Sequence, residues 1–234
     1  MNNCATSLML SAEEAYQLWA PEYDSAPNPL FDLEVRHLAP LLQSAAHCDV
    51  VDLGCGTGRW LERLYPLQPR SLTGVDVSAA MLERAARKLG HNAHLVHADC
   101  MHTSLGTSCA DWILASLLLS YVEDLNKLAR EAARIARPGA LLLISDVHPA
   151  TSVYGWKRNF CCDHKLVEIK TYPYQLHNLR AALNETGFEL ESLNEYAFED
   201  DDKMIFIHAG RPDLYAAVMG LPVMFLAIYR RRRE

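Results

Sequence analysis

The chain is expected to be an α/β protein in which helices cover both faces of a mostly parallel sheet. Three observations carry that expectation. Short apolar, β-branched runs such as "DVVDLG", "SLTGVDV" and "ALLLISDV" recur between residues 49 and 147. Between them stand segments with apolar residues at helical intervals, such as "AAMLERAARKL" and "LNKLAREAARIA". Strands separated by helices of this length imply right-handed crossovers that bury the sheet on both faces. The bulk numbers agree: 234 residues, 50% hydrophobic and 22% charged, suit one domain with a substantial core.

The elements follow in order. Ser11 and Glu14 stand in capping-box spacing ahead of "EEAYQLWA", whose Tyr16, Leu18 and Trp19 make an apolar face. "PEYDSAPNP", with three prolines, is a loop. "LFDLEVRHLAPLLQSA" reads as a helix bent or restarted at Pro40. "DVVDLG" is a strand, "RWLERLY" a helix and "SLTGVDV" a second strand; Ser78 then caps "AAMLERAARKL", which Gly90 stops. "AHLVHAD" and "DWILASLL" are the third and fourth strands. "LNKLAREAARIA" is a helix ended by Pro138 and Gly139, and "ALLLISDV" is the fifth strand. After Pro149 the periodicity is lost, and 149–174 reads as an inserted loop with a short hairpin. The helix "QLHNLRAALNET" ends at Gly187, and the strands "FELESLNEYAF" and "VMFLAIYRR" follow, separated by a polar turn and a short helix. No repeat or low-complexity tract interrupts this. The expectation is a single domain over 1–234, with leading helices in 1–47, a core in 48–148, the insert in 149–174 and a closing helix and two strands in 175–234.

Charge and cysteine usage exclude several classes. A formal charge of −7 does not attract a phosphate backbone, so no nucleic-acid partner is expected. The basic end "YRRRRE" reads as a solvated tail. Seven cysteines without a repeated spacing argue against a disulfide framework and for a reducing, cytoplasmic location. "MNNCATSLML" has no basic start with a long apolar core, and no run is long enough to span a bilayer, so no membrane partner is expected.

The chemistry begins in "VVDLGCGTGRW", where a strand ending in Asp52 runs into Gly54, Cys55, Gly56 and Gly58. A phosphate-binding P-loop would follow its last glycine with Lys and Ser or Thr; here Arg59 and Trp60 follow. A dinucleotide fingerprint sets its third glycine three positions beyond the second, where Arg59 stands. What remains resembles motif I of the class I S-adenosylmethionine-dependent methyltransferases. The resemblance extends to Asp76 in "LTGVDVSAAML", 18 residues beyond Gly58, to Asp99 in "LVHADC", and to "ARIARPGALLLISD". It covers 49–146 specifically, and the last two strands carry it to the end.

That resemblance implies a Rossmann-like seven-stranded mixed sheet in the order 3-2-1-4-5-7-6, with strand 7 antiparallel. It also implies S-adenosyl-L-methionine as cofactor. Glycines free the loop backbone to touch the methionine moiety. Asp76 accepts from both ribose hydroxyls, and Asp99 lies near the adenine amino group. Val77, Met81, Cys100 and Leu117 are apolar candidates for the adenine sandwich, and Ser116 ends the fourth strand beside the acceptor.

"LWAPEYDSAPNPL" resembles the N-terminal "YD" loop of the small-molecule and quinone-pathway members, whose leading helices fold over the cofactor as a lid. Tyr16, Trp19 and Tyr23 would then face cofactor or acceptor, and an aromatic face attracts a sulfonium. Arg36 is a candidate for the methionine carboxylate, against a solvated helix role. His148 in "SDVHP" is the candidate general base for a hydroxyl acceptor, with His164 and His177 as alternatives and Asp146 to orient it. "CCDH" lacks structural zinc spacing, and Val147 stands where a magnesium site would want a second acid or amide. The expected function is methyl transfer to a small-molecule acceptor by a monomer or homodimer. Its rivals are a nucleic-acid methyltransferase and a non-catalytic adenosylmethionine-binding scaffold or regulator. Aromatics in the insert (Tyr154, Trp156, Phe160) suggest a partly apolar acceptor.

Overall fold

The computed structural model describes residues 7–25, 27–153, 155–162, 164–210 and 212–233. In chain order its regular elements are β1 (Ser7–Leu10), α1 (Ala12–Trp19), α2 (Pro29–Leu38), β2 (Asp49–Leu53), α3 (Arg59–Leu64), β3 (Ser71–Asp76), α4 (Ala79–Leu89), β4 (His94–His97), β5 (Ala110–Ser116), α5 (Leu125–Ile135), β6 (Ala136–Val147), β7 (Asn159–Cys162), β8 (Lys165–Ile169), α6 (Leu176–Glu185), β9 (Phe188–Tyr196), α7 (Lys203–His208), α8 (Pro212–Val218) and β10 (Met224–Arg231). Seven strands form one sheet in the order β4-β3-β2-β5-β6-β10-β9. The first five pair in parallel, and β10 runs antiparallel to both β6 and β9. Numbered along the chain, this is the 3-2-1-4-5-7-6 order of the Rossmann-like methyltransferase fold.

The central strand shows why the sequence reads as it does. All five residues of β2 are buried, because helices cover both faces of a parallel sheet. Val51 and Leu53 point to a core shared with Leu128 and Ile135 of α5 and Leu179 and Leu183 of α6. Val50 points the other way, to Leu61 and Leu64 of α3 and Leu82 and Leu89 of α4. The helix starts obey their caps. Ser11 and Glu14 form the reciprocal box, Ser78 accepts from the Met81 N–H, and Asp124 accepts from the first turn of α5. At Pro40 α2 gives way to a 3-10 segment, Ala39–Ala45.

The structure corrects several details. α5 stops at Ile135 and β6 already runs from Ala136, through Pro138 and Gly139 (φ 85°), so the expected turn belongs to the strand. In the insert, β7 and β8 form the hairpin, and β1, which carried no sequence expectation, pairs parallel with β8. Two short helices, α7 and α8, stand between β9 and β10 where one was expected. Cys48, Cys55, Cys100, Cys109 and Cys162 are free thiols, but Cys161 is disulfide-bonded, so the cysteines are not all reduced. Among the described residues no helix is long and apolar enough to cross a membrane.

Candidate active site

The glycine loop leaves the carboxyl end of β2 with three positive φ angles: 72° at Gly54, 54° at Gly56 and 77° at Gly58. The outer two are glycines for packing. A Cβ on Gly54 would lie 2.7 Å from Leu118 Cδ1, and one on Gly58 would lie 3.0 Å from Leu89 Cδ1 and 3.1 Å from Ala85 Cβ. A Cβ on Gly56 would meet nothing within 4 Å. The middle glycine therefore faces open space, where a ligand can approach bare backbone. Cys55 beside it is buried.

Two carboxylates flank the loop. Asp76, ending β3, accepts the Gly56 N–H on Oδ2 and the Ser78 N–H on Oδ1, each at 2.8 Å. Burial pushes its carboxyl above the ordinary range, and those two N–H groups oppose the rise. Each oxygen keeps a further lone pair for an incoming hydroxyl. Asp52 is 1% exposed, and neither of its oxygens has a partner. Burial drives its carboxyl well above the ordinary carboxylate value, with Arg59 pulling the other way. A buried acceptor without a donor is costly, and the methionine ammonium of S-adenosylmethionine is a donor of the chemistry Asp52 lacks. Asp52, Gly56 and Asp76 thus fit that cofactor.

The adenine candidates divide. Asp99 caps the turn after β4 by accepting the Met101 N–H at 2.8 Å and is exposed. Val77 is 36% exposed and Cys100 and Leu117 are half-buried, so all three have accessible surface. Met81 is 1% exposed and has little surface to offer. Leu117 is held at φ 51°, with its N–H donating to the Ser145 carbonyl at 2.7 Å. That conformation is costly for a side chain bearing Cβ.

Ser116 is not free at the end of β5. Its hydroxyl donates to Glu34 Oε1 at 2.6 Å and accepts from Trp60 Nε1 at 2.9 Å. Glu34, on α2 and wholly buried, also pairs with Arg59 and takes the Ser145 hydroxyl. Arg59 lies 4.5 Å from the centre of the Phe31 ring and 4.8 Å from that of Trp60. This network ties the N-terminal helix to the cofactor loop, and the sequence reading missed it. The available signal was an acid inside the apolar stripe Leu30, Leu33 and Leu38.

The N-terminal aromatics gather above the carboxyl ends of β5 and β6. The Tyr16 hydroxyl donates to the Tyr121 hydroxyl at 2.8 Å, and Trp19 stacks on Phe160 with ring centres 4.8 Å apart. Tyr23 sets its ring at 75° to Tyr16. Burial pushes both the Tyr16 and Tyr23 phenols up, keeping them neutral. Next to them Asp24 accepts the Thr57 hydroxyl and pairs with Lys88, each at 2.7 Å, so the loop after α1 is fastened directly to the glycine turn and α4.

Other candidates lie elsewhere. Arg36 pairs with buried Asp202, away from the glycine loop, so it is not placed for the methionine carboxylate. His148 has both ring nitrogens engaged: Nε2 lies 2.9 Å from Glu195 and Nδ1 accepts the Ala150 N–H at 3.1 Å. Asp146 does not contact it. Its Oδ2 accepts the Leu119 N–H at 2.5 Å, and its Oδ1 accepts the Val147 N–H at 2.6 Å and faces Arg158 at 3.5 Å. Burial lifts Asp146 to about 6 despite Arg158 and the backbone donors. His164 and His177 are exposed, and Tyr154 lies outside the described residues. A cavity of about 440 Å³ lined by His177, Arg180, Asn184 and Tyr229 involves none of the cofactor candidates.

Comparison with known proteins bears on this geometry. Residues 50–139 match the family model of a methyltransferase domain. An uncharacterized methyltransferase of Emericella nidulans is 29% identical over 222 residues, covering 77% of each chain. A malonyl-acyl-carrier-protein O-methyltransferase of Pectobacterium atrosepticum is 27% identical over 155 residues, 62% of this chain and 60% of that one. The crystal structure of an S-adenosylmethionine-dependent methyltransferase from Mesorhizobium loti has the same fold, with a TM-score of 0.64 and 21% identity over 84% of this chain and 100% of that one. Residues 50–139 thus match a methyltransferase domain, and the chain has the fold of an S-adenosylmethionine-dependent methyltransferase.

Proposed function

We propose that this chain transfers the methyl group of S-adenosylmethionine to a small-molecule acceptor as a single-domain cytoplasmic enzyme, monomeric or homodimeric. The observation that carries the reading is the unpartnered, buried Asp52 carboxylate beside a glycine turn whose middle residue faces open space. When bound, the cofactor supplies an electrophilic methyl group on a sulfonium. Asp52 holds the methionine ammonium, the backbone of Gly54, Cys55, Gly56 and Gly58 lies against the methionine chain, and Asp76 grips the ribose. Val77, Cys100 and Leu117 would enclose the adenine, with Met81 buried behind them, and Asp99 would meet its amino group.

The protein's own contribution is alignment and exclusion of water more than acid–base work. Residues 1–47 act as a lid, supported by the Asp24 contacts to Thr57 and Lys88 and by the Glu34–Arg59 pair. Neutral Tyr16 and Tyr23 offer ring faces on the sulfonium side. Nothing in the geometry frees His148 to take a proton, so a hydroxyl acceptor relying on it is disfavoured. A small acceptor agrees with the acidic charge, and a relative named for malonyl-acyl-carrier protein bears its malonyl acceptor on a carrier protein. The quinone-pathway type is supported by the "YD" loop and by a demethylmenaquinone methyltransferase of Listeria welshimeri, 26% identical over 157 residues.

Calorimetry with S-adenosylmethionine and S-adenosylhomocysteine tests the cofactor assignment. Wild type is expected to bind both, and Asp76→Ala to lose roughly a hundredfold in affinity, as for two hydrogen bonds to a charged group. Absence of binding to wild type, or equal binding by the variant, overturns it. A radiolabelled methyl-transfer screen then separates catalyst from scaffold.

A further inference from the structure

We propose that the acceptor is a small carboxylic acid, bound as its carboxylate by the Arg158 guanidinium and the Tyr121 hydroxyl. The inference rests on the methyl-transfer reading above and names its substrate class.

Arg158 lies on the stretch leading into β7, at the carboxyl end of β6. Among the described residues its side chain makes one hydrogen bond, the long contact to Asp146, Nη2 to Oδ1 at 3.5 Å. A guanidinium has five N–H donors, so most of its capacity is unspent. Its side chain is 22% exposed while that of Asp146 is fully buried, and none of its nitrogens is a fully buried atom left without a partner. Burial works against its charge, while Tyr121, Asp146, Tyr16 and Tyr174, all within electrostatic reach of it, favour the charged form.

The neighbouring polar groups are donors too. Tyr121 accepts from Tyr16, which leaves its own O–H to give. Tyr174 spends its O–H on the Val147 carbonyl at 2.8 Å. Groups that could accept a proton are committed. Asp146 carries backbone N–H groups on both oxygens, His148 is engaged at both nitrogens, and Glu34 is locked to Arg59, Ser116 and Ser145. A neutral hydroxyl acceptor would need one of these as a base. An acceptor that arrives ionised needs none, and it pairs with the two donors left open.

Geometry selects the anion. The planar fork of a guanidinium matches a carboxylate through two parallel hydrogen bonds. A phosphate dianion would set two charges against Asp146, where a carboxylate sets one. Tyr16 bonds Tyr121 and packs on Trp19 and Tyr23, so an acid held at Arg158 is walled by rings of the N-terminal segment.

The test uses full-length protein and a matched panel: benzoate, cinnamate, octanoate and succinate, each with its uncharged carboxamide, plus phenyl phosphate and phenol. S-adenosylhomocysteine affinity is measured first in every sample. If wild type does not bind it, the methyl-transfer reading falls, and the acceptor proposal with it. If wild type binds, radiolabel is expected to pass to at least one acid and to none of the carboxamides. Arg158→Gln is expected to raise KM for that acid by roughly ten- to a hundredfold, as for loss of a charged hydrogen-bond partner. Its S-adenosylhomocysteine affinity should stay within about twofold of wild type, which also reports that the variant is folded, and Arg158→Lys should recover part of KM. Label passing to carboxamides, phenol or phenyl phosphate but to no acid overturns the proposal. So does label passing to no member of the panel, or an unchanged KM in Arg158→Gln.

Discussion

Gly54 and Gly56 stand two residues apart with similar positive φ angles and opposite surroundings. Gly54 presses on Leu118, and Gly56 faces open space. Gly54→Ala is expected to lower stability by about 1–3 kcal/mol, because a methyl 2.7 Å from Leu118 Cδ1 forces repacking on a backbone that disfavours Cβ. Gly56→Ala pays only the conformational cost, about 1–2 kcal/mol, but puts its methyl where the cofactor should lie. Urea unfolding and S-adenosylhomocysteine calorimetry on both variants check the split. Stability should fall more in the first, and affinity should fall more per unit of stability lost in the second. At this scale the loop and Asp76 were legible because glycine spacing and a strand-end acid are local patterns. Glu34 and Arg158 were not, since an acid on a helix and an arginine in a loop look solvated until other elements bury or surround them.

The N-terminal segment is the element whose meaning depends most on its contacts. α1 has only Ala15 fully buried, and its loop is fastened by Asp24 to Thr57 and Lys88. Asp24→Ala removes both attachments. It is expected to leave global stability within about 1 kcal/mol, since partly exposed ion pairs contribute little. Amide hydrogen exchange in α1 should accelerate, and S-adenosylhomocysteine affinity should fall several-fold. Unchanged exchange in α1 would show that the latch does not hold the segment. The capping box and the proline loop announced this helix and its end, whereas β1 was silent. "SLML" has too few residues for a period, and it becomes a strand only because β8 offers it an edge.

Across the whole molecule, buried carboxylates set two opposing slopes of stability with pH. Glu131 is pulled down to about 2: burial alone would raise it, but Arg134 and the Thr103 hydroxyl and N–H outweigh that. Its stabilising contribution is complete above its ordinary 4.5 and is lost as pH falls through about 2. Asp146 behaves oppositely. Raised to about 6 from 3.8, it favours the folded state while protonated, and that contribution fades as pH climbs through about 6. In urea unfolding at fixed temperature, Glu131→Gln should flatten the loss of stability between pH 4.5 and 2. Asp146→Asn should flatten the decline between pH 4 and 6. Unaltered slopes in both variants would mean that neither carboxyl keeps its shift in solution.

The sequence by itself determined the alternation of strands and helices, the glycine turn and the acids that follow the first three parallel strands. Each of these is written in neighbouring residues: burial on both faces makes strands uniformly apolar, and a ligand-facing turn needs residues without Cβ. Tertiary structure decided what was adjacent to what. It set β1 on β8, engaged His148 with Glu195, paired Arg36 with Asp202 rather than leaving it for the cofactor, and drew Glu34, Arg59 and Ser116 into one buried network. Whether a polar side chain is free to meet a ligand depends on partners tens of residues away, and no local pattern records them.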